Sequence, residues 1–189
     1  MTPMEKRYYM ACLDLEGRDC LVVGGGRVGL EKARGLLDCG ARVTVVAPDV
    51  VPELRELPVE VVERRYESAD LDERFLVMAA TPDAEVNRRV YEDAEARSLL
   101  CNVADAPNLC TFILPAVYRS DPIAIAVTTS GASPALAQRI RTEVAERYGP
   151  EYAELARRLR ALRPWAKANL PTYEERRDYF QALVEEALR

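Results

Sequence analysis

Cys20-Leu21-Val22-Val23-Gly24-Gly25-Gly26-Arg27-Val28-Gly29 is the stretch on which the fold turns. Its apolar run ends in a Gly24-x-Gly26-x-x-Gly29 spacing. A helical pattern follows at once, with Val28, Ala33, Leu36 and Leu37 in phase and Gly40 to close it. Strand, tight turn and helix in this order predict a site for a dinucleotide pyrophosphate. The first glycine makes the turn, the second leaves room for a phosphate, and the third lets helix and strand pack. The helix start offers unpaired N–H groups and the positive end of its dipole. Gly24, Gly25, Gly26, Arg27, Val28 and Gly29 are therefore candidate cofactor contacts. The competing reading is a tight strand-helix turn that binds nothing.

Beyond this unit, Arg42–Ala47 reads as a second strand, ended by Pro48-Asp49. Val59–Glu63 alternates like a strand with one exposed face, and Phe75–Ala80 is an apolar run of buried-strand length. Thr81-Pro82-Asp83 supplies a capping residue, a proline for the first helical position and an acid for the first turn of a helix to about Arg97. Leu99–Val103 is the next strand. Strands alternating with helices predict an α/β fold with a Rossmann-like, doubly wound parallel sheet. Ligands of such sheets sit outside the carboxyl ends of the strands. Here those ends carry Gly24–Gly29, Pro48-Asp49, Thr81-Pro82 and Asn102–Asp105, and one cofactor could reach all four.

The pattern then changes. Thr111–Tyr118 and Ile123–Thr129 read as two extended segments, with Pro115 making the first an edge or bent strand. Ser133-Pro134 opens a helix to about Tyr148, which Gly149-Pro150 stops. The rest reads as helix over 151–163, a break at Pro164, and helix again from Thr172, where Thr172-x-x-Glu175 forms a capping box. The expected division is a nucleotide-binding domain over 1–113, a small α+β segment over 114–149, and a helical C-terminal domain over 150–189.

Composition narrows the function. Apolar residues make up 49% and charged residues 30% of the 189 positions, enough for a real core. The net charge of −5 argues against a general binder of nucleic acid or of anionic membrane. No apolar run approaches a membrane span, and Met1–Arg7 lacks the apolar region of a signal peptide, so a cytoplasmic location is expected. The five cysteines are odd in number with no C-x-x-C pair, and Cys20 and Cys101 fall in apolar strands; buried reduced thiols are expected. Histidine is absent, which removes every Ser-His or Cys-His mechanism. Proton transfer must fall to Asp, Glu, Lys, Tyr, Cys or the substrate.

Several residues could carry chemistry. Asp49 lies 20 positions beyond Gly29, and no arginine follows its strand before Arg55. An acid there binds ribose hydroxyls, which favours NAD over NADP, although Asp49 also suits a solvated turn. Asp105 sits just past a buried strand, where the nicotinamide ring of such a cofactor should lie; partial burial would strengthen it as a base. The bland alternative is an Asx turn. Ser130-Gly131-Ala132-Ser133-Pro134 opens a helix and so reads both as a cap and as an anion site. Arg119, Arg139, Arg141, Arg147, Lys167, Arg176 and Arg177 could bind substrate carboxylates, though most fit a solvated surface.

At this point the motifs align with a family. The chain resembles the precorrin-2 dehydrogenase and sirohydrochlorin ferrochelatase module of siroheme biosynthesis, which is also the N-terminal half of bifunctional siroheme synthases. The resemblance rests on Leu15-x-Gly17-Arg18, Val22–Val28, Lys32-Ala33-Arg34 and Gly40–Val45. It continues through Ala79-Ala80-Thr81-x-Asp83, Val86-Asn87, Cys101-Asn102-Val103-x-Asp105-Ala106-Pro107, Phe112-Ile113-x-Pro115, Ser133-Pro134-x-Leu136-Ala137 and the tail around Arg176-Arg177. It implies oxidation of precorrin-2 to sirohydrochlorin by NAD, with the cofactor along Arg27-Val28 and Pro48-Asp49; Thr81 and Asn102 are further cofactor contacts expected from their place at the strand ends. It implies acid-base work by Asp105, substrate contacts at Thr129, Ser130, Gly131 and Ser133, and a homodimer interlocked through 115–148. Iron insertion by a ferrous ion stays open, and no metal ligands can be named. Thr128–Ala132 is poorer in glycine than the family run, and Ala104 replaces a usual valine. With the chain ending at Arg189, the preceding methylations are expected from another protein. A second class of function, an NAD-sensing regulatory domain, would explain 20–105 and leave the remainder without a role.

Overall fold

A computed structural model describes residues 7–189, so the leader reading of the first six residues lies outside it. The chain forms two compact units, one up to Leu114 and one over Pro115–Arg189.

The first unit contains β1 (Asp19–Val23), α1 (Arg27–Leu37), β2 (Arg42–Val46), α2 (Pro52–Arg55), β3 (Glu60–Val62), β4 (Leu76–Ala79), α3 (Ala84–Ala96) and β5 (Leu100–Val103). The strands form one parallel sheet in the order β3-β2-β1-β4-β5. Both faces are covered, which is why its strands are almost continuously apolar. The strand period of two splits β1 between the faces. Cys20 and Val22 join Val43, Val45, Leu76 and Met78 beneath Leu30, Ala33 and Leu36 of α1 and Leu54 of α2. Leu21 and Val23 join Val77, Ala79, Cys101 and Val103 against Val90 and Ala94 of α3, with Tyr66 and Leu71 closing that side.

The expected doubly wound sheet is present, with two local corrections. The cap of α3 is Asp83, whose carboxylate accepts from the Glu85 and Val86 N–H groups, so Pro82 precedes the helix instead of opening it. The short helix α2 did not show as a periodicity, because four residues make barely one turn.

The second unit opens with β6 (Ala116–Ser120) and β7 (Ile123–Val127), an antiparallel pair, followed by α4 (Pro134–Arg147), α5 (Pro150–Asn169) and α6 (Tyr173–Ala187). Of the expected extended segment over 111–118, only the part beyond Pro115 is strand, because proline has no N–H to give a ladder. The expected break at Pro164 is absent: α5 runs through it to Asn169. Pro164 is exposed, so its missing N–H leaves the carbonyl one turn back facing water, where it can be solvated. The helix stops at Leu170, before Pro171. The capping box of α6 is formed, with Thr172 accepting from the Glu175 N–H and Glu175 from the Thr172 N–H.

Candidate dinucleotide site at the carboxyl rim of the sheet

The four glycines of the loop have different reasons to be there. Gly24 has φ +125, a conformation closed to ordinary side chains, and a Cβ on it would lie 2.6 Å from the Ala80 carbonyl carbon. A Cβ on Gly25 would lie 2.8 Å from Val50 Cα, and one on Gly29 would strike the Gly24 carbonyl. These three are therefore required by the protein's own packing. Gly26 is not: its φ is −81, and a Cβ there would meet nothing within 4 Å. A glycine that neither the backbone nor a neighbour demands leaves an open cradle, which is what a pyrophosphate lying against the chain needs.

The helix behind this cradle is left open. Asp83, Ser133 and Thr172 cap α3, α4 and α6 with their own side chains, whereas Gly26 has none to give α1, and the first turn of α1 carries no acid. The first N–H groups of a helix have no partner within it. Those of Arg27, Val28 and Gly29 and the positive dipole end thus surround the cradle.

Backbone hydrogen bonds tie the rest of the rim to it. Gly24 N–H donates to Val46, Ala80 N–H to Val23, Ala104 N–H to Ala79, and Val51 N–H to Gly25. The strand order reverses between β1 and β4, so the crevice expected for a ligand opens between the glycine loop and Thr81. With strands about 4.8 Å apart, the end of β5 lies about 10 Å from the cradle.

Around this crevice the expected residues divide. Pro48 and Asp49 are exposed, and the loop they begin packs its backbone against Gly25. Thr81 is half-buried and held by Asn87: its N–H and hydroxyl donate to Asn87 Oδ1 at 3.2 and 2.8 Å, and its carbonyl accepts from Asn87 Nδ2 at 2.9 Å. Asn87 is the residue that reasoning from motif chemistry missed. Its signal is a polar residue in the buried stripe Asn87, Val90, Ala94 of α3. Asn102 is buried and its amide is spent inside the fold, donating to the Phe112 carbonyl at 3.0 Å. Asp105 has φ +57 and an exposed side chain, so the partial burial expected of it is not found in this chain. Its carboxylate has no hydrogen-bond or ion-pair partner among the described residues and is free to meet a substrate.

In the second unit, Ser133 caps α4 by accepting from the Leu136 N–H, and Thr129 Oγ1 accepts from the Ser133 N–H. Ser130 and Gly131 are exposed, with φ +52 and +89. Of the candidate cations there, Arg139 pairs with Glu143, Arg177 with Asp178, and Arg176 donates to the carbonyls of Leu170 and Pro171. Arg147 lies over the Tyr148 ring. Among the described residues no group of three or more His, Cys, Asp or Glu stands ready for a metal ion.

A family model described as NAD(P)-binding matches residues 11–116, and one described as the central part of a sirohaem biosynthesis protein matches 121–147. The chain belongs to the siroheme synthase and precorrin-2 dehydrogenase family. Within that family it is 41% identical over 182 residues to a siroheme synthase of Thioalkalivibrio sulfidiphilus, covering 94% of this chain and 37% of that relative. It is 44% identical over 171 residues to a siroheme synthase of Pseudomonas entomophila, covering 88% and 37% respectively. It thus spans under two-fifths of the length of these relatives. Among solved structures, SirC, a precorrin-2 dehydrogenase, superposes with a TM-score of 0.81 at 28% identity, covering 96% of this chain and 93% of that one. The module binds a nicotinamide dinucleotide, and Gly26 with the open end of α1 could hold its phosphates.

Proposed function

We propose that this chain oxidises precorrin-2 to sirohydrochlorin with NAD. The observation that carries the proposal is the pairing, on one sheet rim, of an open cradle at Gly26 with the Asp105 carboxylate, which has no partner among the described residues. The likeness to SirC, a precorrin-2 dehydrogenase, supplies the substrate.

A bound nicotinamide supplies the hydride acceptor. The chain's own residues do the rest. Gly26 and the N–H groups of Arg27 to Gly29 hold the pyrophosphate. The Asn87-braced Thr81 and the backbone beside Asn102 flank the crevice, and Asp49 faces the ribose hydroxyls. Asp105 accepts the proton that the macrocycle releases as its hydride leaves, so no histidine is needed. Within the second unit, Thr129, Ser130, Gly131 and Ser133 at the start of α4 offer donors suited to carboxylates. Asp49 is exposed at the end of β2 with no arginine before Arg55, which supports NAD over NADP.

A homodimer belongs to the same reading. Val117 and Arg119 lie opposite Ala126 and Ala124 on the face of the β6–β7 pair that stays exposed in the single chain. A cytoplasmic location fits five free cysteines and the lack, among the described residues, of a helix long and apolar enough to cross a membrane.

Anaerobic assay with precorrin-2 decides the proposal. The chain should form NADH and sirohydrochlorin in equal amounts, faster with NAD than with NADP, and Asp105→Asn should slow this by about 10²–10⁴-fold. Full activity in Asp105→Asn would remove the role given to that residue. The relatives are siroheme synthases, so sirohydrochlorin with ferrous iron tests whether the same carboxylate also receives pyrrole protons during iron insertion.

A further inference from the structure

The segment after β5 closes on itself around one sulfur. Cys110 is buried, and its Sγ lies 3.3 Å from the Val103 N, 3.3 Å from the Val103 O and 3.3 Å from the Ala106 O. Asn102 Nδ2 approaches the same sulfur at 3.7 Å. The thiol therefore accepts from the Val103 N–H and the Asn102 amide, and has a single S–H to donate to either carbonyl. These contacts fall on both sides of Asp105, two residues before it and one after. Asp105 is the apex of the loop so formed and the only non-glycine residue of the first unit's carboxyl rim with a positive φ, at +57.

A left-handed aspartate is strained unless its surroundings hold it. The neighbouring bonds supply part of that hold. Thr111 N–H and hydroxyl return to the Cys101 carbonyl at 2.8 and 3.2 Å, and Leu109 N–H donates to the Ala106 carbonyl at 2.9 Å. The Ala106 N–H also donates directly to the Val103 carbonyl at 3.4 Å, and Cys110 is the side chain that bonds to both of these residues bracketing the apex. Sulfur is suited to the place: its long bond to Cβ and large radius let one atom span three backbone groups at 3.3 Å. A serine hydroxyl on a shorter bond would fall away from at least one of them.

We propose that Cys110 is a positioning residue for Asp105, clasping the backbone on both sides of it so that the carboxylate projects from the rim in one orientation. This rests on the reading that Asp105 is the base. A clasp of this kind should act on the proton-transfer step and not on cofactor or substrate binding, because a carboxylate displaced by about 1 Å can lose on the order of 10²-fold in rate.

The test compares Cys110→Ser, Cys110→Ala, Asp105→Asn and the Cys110→Ala/Asp105→Asn double variant in anaerobic turnover of precorrin-2 with NAD, each with a thermal melt with and without NAD. The expected result is a kcat at least tenfold lower in Cys110→Ala, a smaller loss in Cys110→Ser, KM values within twofold, and an unchanged NAD-induced stabilisation. The double variant should be no slower than Asp105→Asn, since a group acting through Asp105 has nothing left to act on. A Cys110→Ala enzyme with wild-type kcat, or a double variant slowed by the product of both effects, overturns the proposal while leaving Asp105 as base. Loss of fold in both cysteine variants also overturns it, assigning the thiol to the core alone. Full activity in Asp105→Asn would instead refute the underlying reading, whatever Cys110 does.

Discussion

Two glycines three positions apart should behave in opposite ways when each gains one methyl group. In Gly29→Ala the new Cβ strikes the Gly24 carbonyl, which is backbone and has no rotamer to escape into. Overpacking of this kind costs about 1–3 kcal/mol, and a backbone neighbour puts it at the upper end. For a chain of this size about 3 kcal/mol lowers Tm by about 6–12 °C. In Gly26→Ala the Cβ meets nothing within 4 Å at φ −81. The lost cap preference and the reduced freedom of the unfolded chain oppose each other, leaving a net change within about 0.5 kcal/mol. The ligand reverses the order. NAD at a hundred times its Kd should stabilise the native protein by about 2.7 kcal/mol. Gly26→Ala fills the cradle and should lose more than half of that gain, although its ligand-free melt matches wild type. Differential scanning fluorimetry of the three proteins, with and without NAD, reads both effects. The reasoning fails if ligand-free Gly26→Ala melts as low as Gly29→Ala, or if it retains the full NAD-induced rise.

Burial of the Asp70 carboxyl pushes its pKa up, but pairing with Arg64 and the Glu67 N–H outweighs this and leaves it below the ordinary 3.8. Its contribution to stability is therefore complete above pH 3.8 and is lost as pH falls through the lower folded value; Asp70→Asn should flatten the acid limb of stability against pH, measured by urea unfolding. Burial raises the thiols of Cys20 to about 11 and Cys101 to about 12, while Cys12 is exposed. A thiol reagent at pH 8 should label Cys12 first and spare Cys20, Cys101 and Cys110 until denaturant is added, as mass spectrometry can follow. Pro164→Ala should stabilise α5 by about 1–3 kcal/mol, since proline is disfavoured in a helix interior and Pro164 touches solvent; unchanged helical melting by circular dichroism would contradict this.

What was legible beforehand is what local chemistry decides. Runs such as Leu21–Val23 and Leu76–Ala79 are apolar on both faces and belong to a buried parallel sheet wherever the chain takes them. Ser133 and Thr172 cap their helices through residues at most three positions away. Proline at 164 misled, because a helix interior tolerates it where the orphaned carbonyl can reach water, and exposure is not a local property.

Which glycine serves the fold and which leaves room for a ligand could not be read along the chain, where all four look alike. That distinction comes from neighbours remote in sequence: Ala80 closes on Gly24 and Val50 on Gly25, whereas nothing approaches Gly26. The same holds for Asn87 bracing Thr81 and for the sulfur of Cys110 bridging Val103 and Ala106. Residue type and spacing determine strands, caps and the presence of a phosphate-binding turn, because these depend on bonds within a few residues. Only the packed sheet decides which side chains are spent on the protein itself and which rim carboxylates, Asp49 and Asp105, are left without a partner among the described residues, because contacts across strands consume donors and acceptors that a linear pattern still counts as available.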